Sequence, residues 1–234
     1  MLAAVLYGQE DLRLETVADP TPVAGEVAIK VGAATTWGTD LKVWRRGGDA
    51  KMLKPPTRFG HEAAGEIVAV GSQVLGWQVG DRVVANNSGP CMKWFFCQGQ
   101  EYSLCPNLTW NNGKFAEYLK ITAQIVKHNL WRLPEDLPDA LASMTEPLAW
   151  VLHGVARSKV KRVNSEQLHY SELTLLGVFH NTPLYVREAL SLLASRTIPL
   201  ELMVSEHRPL RDLEQVFRDM KPRKSIKVAM VTDV

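Results

Sequence analysis

The stretch that most constrains this chain is 59–71, where a His-Glu pair lies between glycines and leads into an alternating apolar segment. Adjacent side chains of a regular strand point to opposite faces, so His61 and Glu62 can approach one metal ion only if the backbone bends. Gly60 and the small residues at 63–65 make such a bend feasible, because glycine tolerates backbone conformations that other residues avoid. Imidazole nitrogen and carboxylate oxygen are donors that zinc accepts. A single histidine is more often a satisfied core or surface residue, so the pair alone leaves both interpretations open.

The segments around this stretch have the pattern of short strands separated by turns. Apolar residues recur with strand-like spacing, and prolines and glycines punctuate them, in 2–7, 12–17, 26–31 and 66–70. These strands are too short and too closely spaced for strand-helix-strand units. We therefore predict a mainly β fold of the α+β class: a small, partly open antiparallel barrel with flanking helices and no doubly wound parallel sheet.

The patterns predict further elements on both sides of the chain's midpoint. Helical spacing of apolar residues predicts a long helix at 139–156. Pro209 stands at the start of a second candidate helix at 209–220, where proline is a good N-terminal signal. In chain order, the other predicted elements are a short helix at 41–46, strands at 115–121, 124–127 and 173–178, a helix at 183–195, and a closing strand at 226–231.

Composition excludes several classes of protein. The chain has 234 residues, 46% of them hydrophobic and 22% charged, as is typical of globular proteins. A net charge of +2 gives no reason to expect a nucleic acid or an anionic membrane as partner. No apolar run approaches the length of a membrane span and the amino terminus does not resemble a signal peptide, so we expect a cytoplasmic protein.

The three cysteines of the chain lie close together in sequence. Cys91, Cys97 and Cys105 fall within 15 positions, inside a segment at 88–108 that we call the cysteine lobe. An odd number of cysteines makes a disulfide framework improbable. The clustering favours a zinc-binding lobe, although a tetrahedral site of four thiolates would need one more sulfur. Three reduced, buried thiols are the alternative.

Two further polar residues need weighing. Glu146 directly precedes Pro147 inside the predicted helix at 139–156, where a kink would aim its carboxylate inward; a solvated helix charge is the alternative. His180 lies in a predicted loop, and we expect it to be a polar surface residue rather than a chemical group.

Taken together, these motifs resemble the zinc-containing medium-chain dehydrogenases of the polyol, alcohol and threonine dehydrogenase group. The matching segments run in family order through nearly the whole chain: Gly38-Thr39-Asp40, Gly60-His61-Glu62-Ala63-Ala64-Gly65, Val79-Gly80-Asp81-Arg82-Val83, the cysteine lobe, Thr145-Glu146-Pro147-Leu148-Ala149 and Ser225-Ile226-Lys227-Val228-Ala229. The resemblance implies a GroES-like catalytic barrel, which in the family accompanies a Rossmann domain for NAD(P).

The resemblance also implies roles for individual residues. It implies His61 and Glu62 as metal ligands, Glu146 as an optional ligand, Thr39 as the hydroxyl that relays a proton, and Asp40 as the partner that orients a ligating histidine. It further implies Cys91, Cys97 and Cys105 as ligands of a second zinc ion. In the family, the substrate is an alcohol or polyol and hydride passes to NAD(P).

Three tryptophans depart from the family pattern. Trp37 stands where the family places the zinc-ligating cysteine before Gly38, and an indole N–H can only donate a hydrogen bond. Trp94 stands at the position of the second cysteine of the lobe, and Trp150 where a small residue or cysteine is expected. We therefore expect zinc to be bound weakly or not at all, with aromatic bulk in its place.

The missing nucleotide-binding domain is a further departure from the family pattern. No Gly-x-Gly-x-x-Gly occurs in the chain, and 151–158 passes through a basic segment directly to a stretch that resembles the return into the barrel. We predict a catalytic barrel at 1–158, a junction at 159–165 that replaces the missing domain, and the remainder of the barrel at 166–234. NAD(P) is not expected to bind.

Two functional hypotheses follow. The first is a catalytic-domain fragment or engineered deletion of a zinc-dependent alcohol or polyol dehydrogenase, inactive by itself. The second is a non-enzymatic or engineered binding or scaffold module whose tryptophans fill the former metal sites. Loss of the cofactor domain would expose an apolar surface, so self-association is expected in either case.

Overall fold

The computed structural model describes residues 1–49, 53–158, 177–220 and 227–232. The predicted junction at 159–165 and most of the predicted strand at 173–178 lie outside the described residues.

The described chain is dominated by short strands. In chain order they are β1 (Leu2–Gly8), β2 (Asp11–Thr16), β3 (Val27–Thr35), β4 (Thr57–Arg58), β5 (Ala63–Val70), β6 (Arg82–Ala85), β7 (Ser88–Gly89), β8 (Thr109–Trp110), β9 (Tyr118–Ile121), β10 (Leu130–Arg132), β11 (Val204–Pro209) and β12 (Lys227–Val231).

Helices are fewer and lie mostly in the second half of the chain. They are α1 (Gly38–Arg46), α2 (Phe95–Gln98), α3 (Ala123–His128), α4 (Asp139–Ala142), α5 (Thr145–Ser158), α6 (Pro183–Ala194) and α7 (Leu213–Asp219), with 3-10 turns at Tyr102–Leu104, Leu200–Met203 and Leu210–Asp212. None of the helices in the described ranges is long and apolar enough to cross a bilayer.

The strands form three sheets. The largest has the order β10-β6-β5-β3-β12-β11, with β9 also paired to β3; β2-β1-β4 and β7-β8 form the other two. Strand β3 pairs with β5 along nearly its whole length, with β9 along its first part and with β12 at its end. Within the described ranges every pairing is antiparallel except β11 with β12. The predicted α+β class is confirmed, and the sheet is open rather than a closed barrel.

The core fixes the backbone just before the His-Glu pair. The rings of Phe59, Phe115 and Phe217 pack together with centroids about 6 Å apart, a typical spacing for aromatic pairs. Gly60 has φ +96°, and a Cβ placed there would lie 2.6 Å from the ring of Phe115. Only glycine satisfies both constraints, because the left-handed region penalises other residues. The bend predicted at Gly60 is therefore present.

Several predicted elements change in the structure. The segment predicted as a strand at 124–127 is helix α3, in which the neighbouring residues Ile125 and Val126 are both buried rather than alternating between two faces. The long helix predicted at 139–156 is divided into α4 and α5. The hydroxyl of Ser143 donates a hydrogen bond to the carbonyl of Ala140 at 2.8 Å. This side-chain bond competes with main-chain hydrogen bonding at the end of α4.

The carboxyl-terminal third also differs from its prediction. Strand β11 was not predicted, because its side chains are mostly polar and half-exposed or exposed. The helix predicted at 209–220 begins as a 3-10 turn at Leu210–Asp212 and continues as α7. The helix predicted at 183–195 and the closing strand agree with α6 and β12 to within a residue.

Candidate metal site and pocket

The end of β3, the start of α1 and the start of β5 meet at one place. Asp40 holds this junction, since one carboxylate oxygen accepts the N–H of Trp37 at 3.0 Å at the first turn of α1. Its other oxygen lies 2.8 Å from Nδ1 of His61. The contact directs Nε2 of His61 away from Asp40, as a carboxylate behind a metal-ligating histidine does.

The fully buried carboxylate of Glu62 lies beside that imidazole. Its Oε2 accepts hydrogen bonds from Oγ1 of Thr35 at 2.5 Å and from Nζ of Lys227, which is itself fully buried. Oε1 has no hydrogen-bond partner and lies 3.7 Å from Nε2 of His61. A buried oxygen without a partner is costly, so this atom marks a place suited to a further ligand.

Glu146 completes the group from the first turn of α5. It is 8% exposed, and its Oε1 accepts from Nδ2 of Asn181 at 3.1 Å. The predicted kink is not the reason for its inward direction: α5 begins at Thr145, so Pro147 lies in the first turn, where no intrahelical N–H is required. The alternative of a solvated helix charge is wrong, because the carboxylate is buried.

Donor atoms of His61, Glu62 and Glu146 all lie within 4.8 Å of one another. Zinc binds imidazole nitrogen and carboxylate oxygen at about 2.0–2.2 Å, so donors at this separation can share one ion. The free Nε2, the partnerless Oε1 of Glu62 and the nearby carboxylate of Glu146 fit a divalent metal with nitrogen and oxygen ligands.

Burial and charge act in opposition on the groups of this cluster. Burial by itself lowers the pKa of His61, but the charge of Asp40 and its hydrogen bond outweigh this and raise it to about 9. Burial raises the pKa of Glu146 to about 7. Burial also lowers the pKa of Lys114 to about 8, although the two glutamates oppose that shift. A metal would therefore displace a proton from the imidazole.

Trp37 lies against this cluster. Its ring is 4.4 Å from Nζ of Lys227, a cation–π contact with the same ammonium that pairs with Glu62. The indole therefore packs on the ammonium that neutralises Glu62.

A cavity of about 150 Å³ opens onto the cluster. Thr39, Asp40, His61 and Glu146 supply its polar wall. The aromatic side chains of Trp37, Trp150 and Phe179 line it as well. The cavity therefore combines candidate ligand atoms with apolar walls, the usual make-up of a small-molecule site.

The cysteine lobe brings its three sulfurs together at a separate place. Sγ of Cys91 lies 3.4 Å from that of Cys105 and 3.9 Å from that of Cys97. The N–H groups of Lys93 and Trp94 donate to the Cys91 sulfur and lower its pKa to about 7. Cys97 and Cys105 are buried and Cys91 is partly exposed. The three sulfurs therefore lie close enough together to bind one ion, and three reduced thiols remain the alternative.

Sequence reasoning missed several groups. His180 was expected at the surface, but it is 5% exposed, and its Nε2 lies 2.5 Å from Oγ of Ser88. Burial lowers the pKa of His180 to about 3. Lys114 and Lys227 were not singled out, although both are buried. A lysine at the start of the closing apolar strand was the available signal for Lys227.

Comparisons with known proteins identify the family that this chain resembles. Residues 23–135 match the family described as alcohol dehydrogenase GroES-like domain. L-threonine 3-dehydrogenase of Pyrococcus horikoshii is 37% identical over 178 residues, which cover 74% of this chain and 49% of that protein. Sorbitol dehydrogenase of Bacillus subtilis is 33% identical over 167 residues, 69% of this chain and 46% of that protein. The chain thus spans about half the length of the curated relatives it matches.

Solved structures agree on the fold. The 2R,3R-butanediol dehydrogenase of Bacillus subtilis superposes with a TM-score of 0.83 at 18% identity and covers 99% of both chains. The alcohol dehydrogenase TADH from Thermus sp. ATN1 gives 0.81 at 17% identity, again over 99% of both chains. The chain belongs to the zinc-containing medium-chain dehydrogenase family and carries the GroES-like catalytic domain of that family.

Proposed function

We propose that this chain is a catalytic domain that binds a divalent metal, zinc first, at His61, Glu62 and Glu146 and holds a small hydroxyl-bearing ligand in the adjoining cavity. It does not oxidise that ligand by itself. The observation that carries the proposal is the partnerless Oε1 of Glu62, buried 3.7 Å from Nε2 of His61 beside the carboxylate of Glu146.

Each neighbouring residue then has a distinct role. Asp40 holds the ring of His61 through Nδ1, so that Nε2 points toward the other donors. Lys227 and Thr35 occupy Oε2 of Glu62 and leave Oε1 available. Thr39, at the cavity wall, places a hydroxyl where it can take part in a proton relay. Zinc bound here would polarise an alcohol oxygen and lower its pKa.

The ligand class follows from the relatives and the cavity. The matched proteins bear the names L-threonine 3-dehydrogenase and sorbitol dehydrogenase, both of which indicate small hydroxylated compounds. A cavity of about 150 Å³ with polar groups on one side suits a ligand of that size.

The absence of hydride transfer is part of the proposal. We propose that 1–158 and 166–234 together make the catalytic domain and that 159–165 stands in place of a nucleotide-binding domain. The chain contains no Gly-x-Gly-x-x-Gly turn, the motif that carries the pyrophosphate of a dinucleotide. Without a platform that orients the nicotinamide, the chain loses positioning that supplies roughly 7–11 kcal/mol toward a bimolecular reaction.

We further propose that the cysteine lobe binds a second zinc ion through Cys91, Cys97 and Cys105. The Sγ atoms of Cys105 and Cys97, which lie 3.4 and 3.9 Å from that of Cys91, support this assignment.

Calorimetric titration with zinc tests the cleft site. Wild-type chain should bind one ion per cluster, and His61→Ala and Glu146→Gln should each remove the cleft ion while leaving the lobe ion. His207→Ala is the matched control, because His207 is exposed on β11 and distant in sequence from both clusters. If His61→Ala binds as much zinc as wild type, the cleft assignment is wrong.

One observation favours a second candidate function, an apolar-ligand module that needs no metal. The ring of Trp37 packs on the Lys227 ammonium, which already neutralises Glu62, and Trp150 and Phe179 add apolar wall. Fluorescence titration with an apolar probe and with sorbitol, each with and without zinc, separates the two. Zinc-dependent sorbitol binding supports the metal site, and zinc-independent binding of the apolar probe alone supports the module.

We also propose that the chain self-associates through the exposed side of α5 and the start of α6. Trp150, Val151 and Leu184 are each more than two-fifths exposed in the part of the chain that the structure describes, and exposed apolar groups of this size favour association. Sedimentation velocity over a concentration series should show dimers in wild type and fewer in Trp150→Ser/Val151→Ser. A chain that stays monomeric at every concentration contradicts this proposal.

A further inference from the structure

We propose that the zinc held by the cysteine lobe keeps its fourth coordination position open and binds a small exogenous thiol there. This inference rests on the proposed binding of zinc at the lobe. It goes further, because it assigns to the lobe a ligand-binding role that a closed structural zinc site does not have.

The Cys91 sulfur lies close enough to the other two sulfurs for all three to bind one zinc ion. Zinc–sulfur bonds of about 2.3 Å at the tetrahedral angle place neighbouring sulfurs about 3.8 Å apart. Sγ of Cys91 lies 3.9 Å from that of Cys97 and 3.4 Å from that of Cys105. Little rearrangement of the loop is therefore needed for three thiolates to bind one ion.

The chain supplies no evident fourth ligand within the lobe. Trp94 follows Cys91 by three positions, and its N–H groups can only donate hydrogen bonds. Glu101 is the one acidic residue of 88–108, a segment without histidine. Its carboxylate is engaged by Arg157 at 2.9 Å. Among the described residues, the metal-competent group at this place consists of the three cysteines.

Position 94 lies at the surface of the lobe. Trp94 is 50% exposed and Phe95 is 76% exposed, so the indole lies at the surface rather than being buried among the sulfurs. Cys91, the thiol nearest to Trp94 in sequence, is itself partly exposed. Three protein ligands plus an exchangeable water is the arrangement of zinc sites that bind further ligands, whereas closed structural sites have four.

Binding of the thiol would be a simple ligand substitution. On binding, a small thiol would lose its proton to solvent, and its sulfur would replace a water on the zinc that Cys91, Cys97 and Cys105 would hold. Neither the metal nor any cysteine changes oxidation state. A thiolate is the ligand of choice because it reproduces the donor that a cysteine at position 94 would supply, and Lys93 places a positive side chain next to that position in sequence.

Cobalt(II) as a spectroscopic substitute tests the inference on the full chain. Before thiol is added, sulfur-to-cobalt charge-transfer absorption reports the lobe alone, since the cleft donors are nitrogen and oxygen. Because an added thiol can also bind cobalt in the cleft, the response to thiol must be the same in His61→Ala, which is expected to lack the cleft ion. With a phosphine reductant keeping the cysteines reduced, addition of 2-mercaptoethanol to the cobalt-loaded wild type should intensify and shift this absorption. Trp94→Cys should bind cobalt at least about tenfold more tightly, equivalent to about 1.4 kcal/mol, and should not respond to the added thiol.

Trp94→Ala keeps the test decisive if Trp94→Cys does not fold. Removing the half-exposed ring should let the cobalt spectrum respond at a lower thiol concentration than in wild type; a requirement for more thiol counts against the inference. Cobalt bound with a spectrum that ignores the thiol overturns the open position and leaves the proposed lobe zinc intact. Absence of any sulfur-to-cobalt absorption overturns both.

Discussion

In the cleft cluster and in the cysteine lobe, a tryptophan stands where the family resemblance led us to expect a cysteine, yet the surroundings of the two indoles differ. In the cleft, the indole of Trp37 packs on Lys227, and that buried ammonium pairs with the very carboxylate that would ligate the metal. In the lobe, Trp94 remains half exposed and the three sulfurs stay at metal-binding separation. The same kind of substitution is absorbed by the core in one region and left open to solvent in the other.

The difference follows from what surrounds each site. A buried carboxylate cannot be left without a counter-charge, so the cleft is held together by ion pairs and hydrogen bonds whether or not a metal is present. The lobe carries the exposed side chains of Trp94 and Phe95 at the surface, so its order would depend on the ion that we propose it binds. Perturbing the cleft should therefore affect the whole fold, whereas perturbing the lobe should remain local.

The largest effect is expected from breaking the buried pair in the cleft. Glu62→Gln leaves the ammonium of Lys227 buried and unpaired, and we expect the free energy of unfolding to fall by about 3–5 kcal/mol. Urea denaturation measures this. Glu66→Gln, at an exposed position of the same strand, is the matched control and should change stability by less than about 0.5 kcal/mol.

The double variant Glu62→Gln/Lys227→Met sharpens the same point. Removing both charges removes the unpaired group, so much of the lost stability should return. The loss in free energy of unfolding for the double variant should be smaller than the sum of the losses for Glu62→Gln and Lys227→Met. If it equals or exceeds that sum, the pair is not the element that holds the cleft together.

The next largest effect is expected from removing the proposed lobe ion. A chelator should lower the apparent free energy of unfolding by about 2–3 kcal/mol when free zinc had been near 100 times its dissociation constant. Because a chelator also removes the proposed cleft ion, the comparison uses the His61→Ala background, which is expected to lack that ion; there, Cys105→Ser should leave the chelator with little effect. Proteolysis of the chelated wild type should begin inside 88–108 and leave the sheet intact; simultaneous loss of the whole chain would mean that the lobe is not separable from the core.

A smaller effect is expected at Trp37. Trp37→Leu loses the cation–π contact with Lys227, and thermal unfolding should report a loss of about 1–2 kcal/mol. Trp150→Leu, which changes a partly exposed indole in the same cavity, should cost less. Equal losses would show that the Trp37 ring is not part of the buried charge cluster.

The smallest effect should come from the contact that joins the two regions. Arg157 on α5 pairs with Glu101 of the lobe at 2.9 Å, and both side chains are exposed. Arg157→Ala should therefore change stability by less than about 1 kcal/mol, and less still at high salt. A loss comparable to that of Glu62→Gln would show that the lobe and the cleft are coupled.

The sequence predicted the fold class and most of the candidate site because both depend on local signals. Gly60 bends the chain before His61, and the short strands carry their own turn residues, so the open β fold and the His-Glu convergence were predictable. Glu146 was predicted as a candidate ligand, but its inward direction was attributed to a kink at Pro147. The sequence does not show that α5 begins at Thr145, one residue before Glu146.

What sequence reasoning missed depends on contacts between distant segments. Lys227 reaches Glu62 across 165 positions and His180 reaches Ser88 across 92. Neither contact leaves a periodic or spaced signal in the chain. Segment 124–127 was assigned to a strand for a related reason: its short apolar run fits either structure, and tertiary packing decided for the helix α3.

Coenzyme reduction by the purified, zinc-loaded chain tests the central claim most directly. The absorbance of reduced nicotinamide is followed with NAD and with NADP, using L-threonine, sorbitol and 2,3-butanediol as candidate donors. The account predicts no reduced coenzyme above the rate without enzyme, even under conditions in which calorimetry shows the cleft metal bound. Steady NAD(P)H formation that requires the chain and is abolished by His61→Ala would contradict it.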